Sequence, residues 1–117
     1  MATDFRSGRE FPRRGRAEMD GFLWIGRVFD KARAAADGTI HDYIYPCPMD
    51  KGVFERWGIS AAQFDEAIRS RRSDDEILAW LNEHVSATGK AKANAWLRDE
   101  KSGNLDRQDA EEGVIAA

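Results

Sequence analysis

Residues 60–85 read SAAQFDEAIRSRRSDDEILAWLNEHV, and their rhythm decides the fold. Ser60 with Gln63, and Ser73 with Glu76, form capping-box patterns. In such a box a hydroxyl accepts from a backbone N–H in the first helical turn, and the longer side chain reaches back to the cap. Phe64, Ala67 and Ile68 follow the first cap at helical spacing; Ile77, Trp80, Leu81 and Val85 follow the second. Apolar steps of three and four place each set on one helix face. Trp80 shares its face with Ile77 and Leu81 and is expected to be largely buried.

Upstream, Asp20 is placed to cap a helix carrying Phe22, Ile25, Phe29, Ala32 and Ala36, its apolar face widened by Trp24, Val28 and Ala35. Gly38 supplies a left-handed stop. Residues 39–48, TIHDYIYPCP, change character: tyrosines and isoleucines favour extended backbone, and two prolines bracket Cys47. Asp50 can cap a short helix running to Trp57, which Gly58 ends. Downstream, Gly89 breaks the chain, and Lys90 to Glu100 form a last helix packing Trp96 and Leu97. The expected fold is all-α or nearly so: a compact bundle of about five short helices around a tryptophan-rich core, with an ordered Tyr/Pro loop after the first helix.

The domain expected over 18–101 is flanked by two charged ends. Residues 1–17 hold Arg6, Arg9, Arg13, Arg14 and Arg16 and read as a flexible basic arm; residues 102–117 hold Asp106, Asp109, Glu111 and Glu112 and read as a flexible acidic tail. The 117 residues carry a net charge of −3, so bulk electrostatics do not favour a polyanionic partner. Cys47 is the only cysteine, which excludes an internal disulfide and a multi-cysteine zinc site. No apolar run approaches a membrane span, and the first residues are polar, so the cytoplasm is the default location.

The run GFLWIGRVFDKARAAADGTIHDYIYPCPMDKGVFERWGIS, residues 21–60, resembles the opening of the bacterial family catalogued as domain of unknown function 5069. The marks are Asp30-Lys31-Ala32-Arg33 on the first helix, Gly38-Thr39, Tyr43 and Tyr45 ahead of Cys47-Pro48, and Asp50 before a short aromatic helix. FDEAIRSRRSDDEILAWLNEH, residues 64–84, resembles the family's next two helices. The likeness covers about residues 19–98 and leaves the arm and tail outside. It implies a compact helical domain and no reaction, since the family has no established activity.

The candidate binding surface is Asp30, Arg33, His41, Tyr43, Tyr45, Cys47 and Asp50. Asp30 can pair with Arg33 or Arg27 at helical spacing, as a surface ion pair or the edge of an anion pocket. His41 and Cys47 make a nucleophile–base pair only if the chain folds back at Pro46 and Pro48; otherwise Cys47 is a small buried hydrophobe under tyrosine lids. His41, Asp42 and His84 lack any recognised metal-ligand spacing, so no metal and no cofactor are expected. Residues 60–98 also have the rhythm of a helix-turn-helix, whose third helix would present Lys90, Lys92, Asn94 and Arg98 to DNA. Asp74, Asp75, Glu76 and Glu83 oppose that reading near phosphates. No Gly-rich phosphate loop and no serine nucleophile elbow is present. The reading is a small cytoplasmic interaction or ligand-binding module, its partner a protein or small molecule, rather than an enzyme. The alternatives are a DNA-binding regulator and a small enzyme using Cys47.

Overall fold

Both serine caps form. In the computed structural model, which describes residues 5–6, 11–41, 43–71 and 73–112, Ser60 Oγ accepts from Gln63 N at 3.1 Å and Gln63 Oε1 accepts from Ser60 N at 2.8 Å. Ser73 Oγ accepts from Glu76 N at 3.2 Å. Among the described residues six α-helices follow in the order α1 (Ile25–Asp37), α2 (Pro48–Trp57), α3 (Ala61–Ser70), α4 (Asp74–His84), α5 (Ala87–Ala95) and α6 (Ser102–Glu111), with a π-helical turn, Trp96–Glu100, continuing α5. The described residues contain no strand beyond an isolated bridge between Met19 and Phe22, and no helix among them is long and apolar enough to cross a membrane.

Phe22, Trp24, Phe29, Phe64, Ile77, Leu81 and Leu97 are buried completely, and Trp57 almost so. Phe54 of α2 packs against Phe64 of α3 with tilted rings, their centroids 5.0 Å apart. Trp80 and Trp96 are only half-buried. Trp80 stacks on His84, one turn along α4, with centroids 4.4 Å apart. The burial of Trp80 is therefore partial: its indole lines an open surface groove between α3 and α4 together with Ala62, Ala67 and His84.

The first helix starts later than the sequence suggests. Asp20 is not its cap: Asp20, Gly21 and Trp24 all take positive φ, at 52°, 76° and 72°. The chain turns sharply before α1 because tertiary contacts override the local signal. Asn94 of α5 clamps the turn, its Oδ1 accepting from Leu23 N at 3.0 Å and its Nδ2 donating to Gly21 O at 2.7 Å. The turn drives Phe22 and Trp24 into the core. Cys47, not Asp50, is the N-cap of α2; Asp50 sits at the third helical position and accepts from Cys47 N at 2.9 Å.

Gly89 does not end a segment. Ser86 caps α5 by accepting from Gly89 N at 3.0 Å, and Gly89 lies inside the helix. A Cβ there would stand 2.7 Å from Arg56 O, so the glycine marks where α5 presses against the backbone of α2.

The packed body also extends beyond 18–101. Pro12 and Gly15 are buried, and Trp24 N donates to Gly15 O at 2.7 Å. Ser102–Glu111 form α6, with Leu105 in the core. The two charged ends meet each other: Arg14 donates to Asp109 at 2.8 Å and Arg16 to Asp106 at 2.6 Å. Opposite charges that look like separate solvated ends in the sequence neutralise one another across the fold. Residues 1–4, 7–10 and 113–117 of the expected arm and tail lie outside the described residues.

Gly89→Ala is expected to lose about 1–3 kcal/mol in urea unfolding, the usual cost of forcing a methyl into a filled contact. Gly103→Ala, inside α6 with nothing within 4 Å of the added Cβ, is expected to lose nothing and to gain up to about 1 kcal/mol. Equal effects at the two positions would remove the α5–α2 contact as the reason for glycine at 89.

Candidate functional site

The site is built on a carboxylate that no water reaches. Asp50 is 0% and Lys31 3% exposed. Asp50 Oδ1 accepts from Trp24 Nε1 at 2.8 Å; Oδ2 accepts from Lys31 Nζ at 2.7 Å and from Cys47 N. Burying an ion pair costs several kcal/mol per charge unless such donors surround it. Here one donor comes from the turn before α1, one from α1 and one from the start of α2. Lys31 Nζ reaches on to Cys47 Sγ at 3.3 Å. The ammonium therefore fixes the thiol beside it.

Lys31 and Cys47 lie at the base of a cleft of about 480 Å³. Tyr43 and Arg27 form one wall; Gln108 and Glu112 at the end of α6 form the other. Arg27 donates to both Glu112 oxygens, at 2.9 and 2.6 Å, and Tyr43 Oη donates to Glu112 Oε2 at 3.0 Å. Burial, then the Glu112 carboxylate, hold the Tyr43 phenol protonated well above its usual range. Phe11 and Ile44 border the cleft and are 43% and 68% exposed; they are the large apolar side chains left exposed among the described residues.

The residues singled out in the sequence divide into three groups. His41, Tyr43 and Cys47 line the cleft, and Asp50 lies beneath it. Asp30 and Arg33 lie elsewhere and do not pair with each other. Asp30 accepts from Arg13 N, Nε and NH2 at 2.8, 3.0 and 2.9 Å, while Arg33 donates to Asp74 on α4 at 2.6 Å. Arg13 also donates to Asp74 at 2.7 Å, so this cluster straps residues 11–17 to α1 and α4. Tyr45 faces away, donating to Asp65 on α3 at 2.5 Å beside a smaller hollow of about 290 Å³.

Arg27, Lys31, Ile44, Gln108, Glu112 and Phe11 are among the cleft residues that lie outside the candidate surface read from the sequence. Lys31 and Arg27 had a signal: positions 24, 27, 28, 31 and 35 form one helical stripe, and a cation inside an apolar stripe needs a buried partner. The others lie in segments with no helical pattern strong enough to place them. Two residues of the helix-turn-helix reading are engaged in the fold. Asn94 is buried, and Lys90 donates to Asp20 O and covers the Phe22 ring at 4.3 Å.

Residues 9–116 match the family model described as Domain of unknown function (DUF5069). The chain belongs to this family. No curated protein matches it. The DUF5069 match takes in residues 9–17 and 102–116, beyond the stretch of about 19–98 on which the resemblance was read. Both walls of the cleft therefore fall inside the family's span.

Asp50→Ala leaves three donors without an acceptor and an ammonium without its counter-ion, and is expected to cost at least about 3–5 kcal/mol. Lys31→Met should cost less, because the carboxylate keeps the Trp24 and Cys47 donors. Urea titration of both variants checks the order; the reverse order would show that the lysine is the centre of the network.

A second expectation concerns acid. Burial alone would raise the Asp74 carboxyl, but hydrogen bonds from Arg13 and Arg33 outweigh it and hold the group below the usual carboxylate range. A depressed carboxylate stabilises the fold above its unfolded value and loses that contribution as pH falls through the folded one. The loss should therefore appear below about pH 4. Asp74→Asn is expected to lower the melting temperature at pH 7 and to flatten its fall between pH 5 and pH 2, in circular-dichroism melts. A fall as steep as in the parent would mean that the cluster contributes nothing.

Proposed function

We propose that this DUF5069 chain is a small-molecule-binding module and that the Tyr43–Cys47 cleft is its site. The observation that supports the reading is a convergence. The exposed large hydrophobics, Phe11 and Ile44, flank one cleft. Of the buried side-chain polar atoms without a partner, Arg27 Nε and Gln108 Oε1 belong to residues lining that same cleft. Folded proteins pair almost all buried polar atoms and cover most large apolar side chains, so exceptions to both rules in one place call for an explanation. A ligand supplies one. The volume falls within the range of about 300–1,000 Å³ usual for small-molecule sites, and an apolar lining with a few fixed polar groups is the usual composition of such a site.

The ordered base suits binding. Lys31 and Asp50 hold their neighbours by buried charge-assisted hydrogen bonds, so little ordering remains to oppose association. Cys47 supplies a convenient reporter, since its thiol lies in the cleft.

A fragment screen by two-dimensional NMR tests this. Binders are expected to shift the amides of Phe11, Ile44, Tyr43 and Gln108 together and to slow the reaction of Cys47 with an aromatic disulfide reagent. Ile44→Asp should weaken such binders about tenfold or more, the worth of one buried aliphatic side chain, without lowering the melting temperature. Shifts centred on the Trp80 groove, or binders indifferent to Ile44→Asp, would overturn the assignment of the site.

A further inference from the structure

We infer that the ligand of the cleft is an uncharged, mainly apolar ring compound carrying a hydrogen-bond donor. This inference rests on the binding reading above and narrows it.

The charge pattern is the first argument. Every cationic side chain of the cleft already has a carboxylate: Arg27 pairs with Glu112 at 2.6 Å, Lys31 with Asp50 at 2.7 Å, and Arg107 with Glu111 at 3.7 Å. Two of these pairs are deeply buried. Inside the cleft an anionic ligand would have to compete with Glu112 or Asp50 for a cation, leaving a buried carboxylate uncompensated, and a cationic ligand would do the same to Arg27 or Lys31; Arg107 stands exposed, where a charge pair is worth little. Breaking one member out of a buried pair is among the most costly changes available to a protein. Desolvating an unpaired ligand charge adds further cost. A neutral molecule disturbs none of the pairs.

The apolar rim is the second argument. Phe11 and Ile44 offer hydrocarbon to whatever enters, and the Tyr43 ring lines the same cleft, held edge-on by Phe5 with centroids 5.1 Å apart. Flat rings gain offset-stacked and edge-to-face contacts against such side chains. The third argument is Gln108. Its Nε2 faces Met49 Sδ at 3.7 Å, and its Oε1 accepts from nothing. A buried carbonyl oxygen without a donor is satisfied by a ligand hydroxyl or amine.

A matched pair of fluorescent probes separates the possibilities. Phenylnaphthylamine is neutral, carries one N–H, and has the ring system of anilinonaphthalene sulfonate without the sulfonate. The neutral probe is expected to bind at least about tenfold more tightly, about 1.4 kcal/mol. Ile44→Asp should abolish its fluorescence gain, and Gln108→Leu should weaken it several-fold with the melting temperature unchanged. Sulfonate binding as tight as that of the neutral probe, and lost in Ile44→Asp, would overturn the neutral-ligand inference while leaving the cleft as a binding site. Neutral-probe fluorescence unaffected by Ile44→Asp, or no binding of either probe, would also overturn it. The NMR screen then decides whether the binding reading falls with it.

Discussion

The fold hangs on a buried acid. Asp50 cannot face water, and an isolated carboxylate in a protein interior is too costly to persist charged. It is held by three donors from three separate segments, the indole of Trp24, the ammonium of Lys31 and the backbone of Cys47. Those contacts fix where the turn before α1 enters, how α1 is rotated and where α2 begins. The left-handed Trp24 stands in that turn, with its indole N–H on the acid at 2.8 Å. Apolar packing alone tolerates small rotations of a helix, whereas three directed hydrogen bonds to one group do not.

The cleft inherits this order. Because Lys31 is tied to Asp50, its second donor is aimed at Cys47 Sγ, and the base of the site is set by the same atoms that set the core. The opposite wall is held differently. Glu112 gathers Arg27 and Tyr43, and α6 is otherwise secured by Leu105 and by arginine–aspartate pairs near the surface. One side of the site is therefore set by core geometry and the other by latches.

The helical class and the two serine-capped helices were legible in the sequence because their signals are local: a hydroxyl, a partner three residues on, and apolar steps of three and four. Gly89 misled because a glycine required by close helix approach and a glycine that ends a helix are the same letter. The start of α1 misled because Asp20 has the right side chain for a cap, while Asn94, more than seventy residues away, decides the turn. Arginines at one end and carboxylates at the other each look solvated alone, and nothing in their spacing says that they meet. His41, Tyr43 and Cys47 stand out because polar aromatics leading into a proline-bracketed cysteine are conspicuous. Tyr45 stands out for the same reason, and Asp30 and Arg33 for their charges at helical spacing; all three serve other contacts. Lys31 could have been found from its stripe.

The placement of α6 has a kinetic side. Contacts between Arg27 and Glu112 and between Arg14 and Asp109 span 85 and 95 residues of chain, and closing such long loops carries an entropy cost that short-range helix pairs avoid. The Asp50 contacts span only 26 residues or fewer. A growing polypeptide can thus complete its internal hub soon after α2 emerges, yet it has no far wall for the cleft until α6 has been synthesised and has folded back. The cleft is therefore completed only at the end of assembly, and a chain whose last helix fails to dock would keep the Asp50 hub but lack Gln108 and Glu112 across from it.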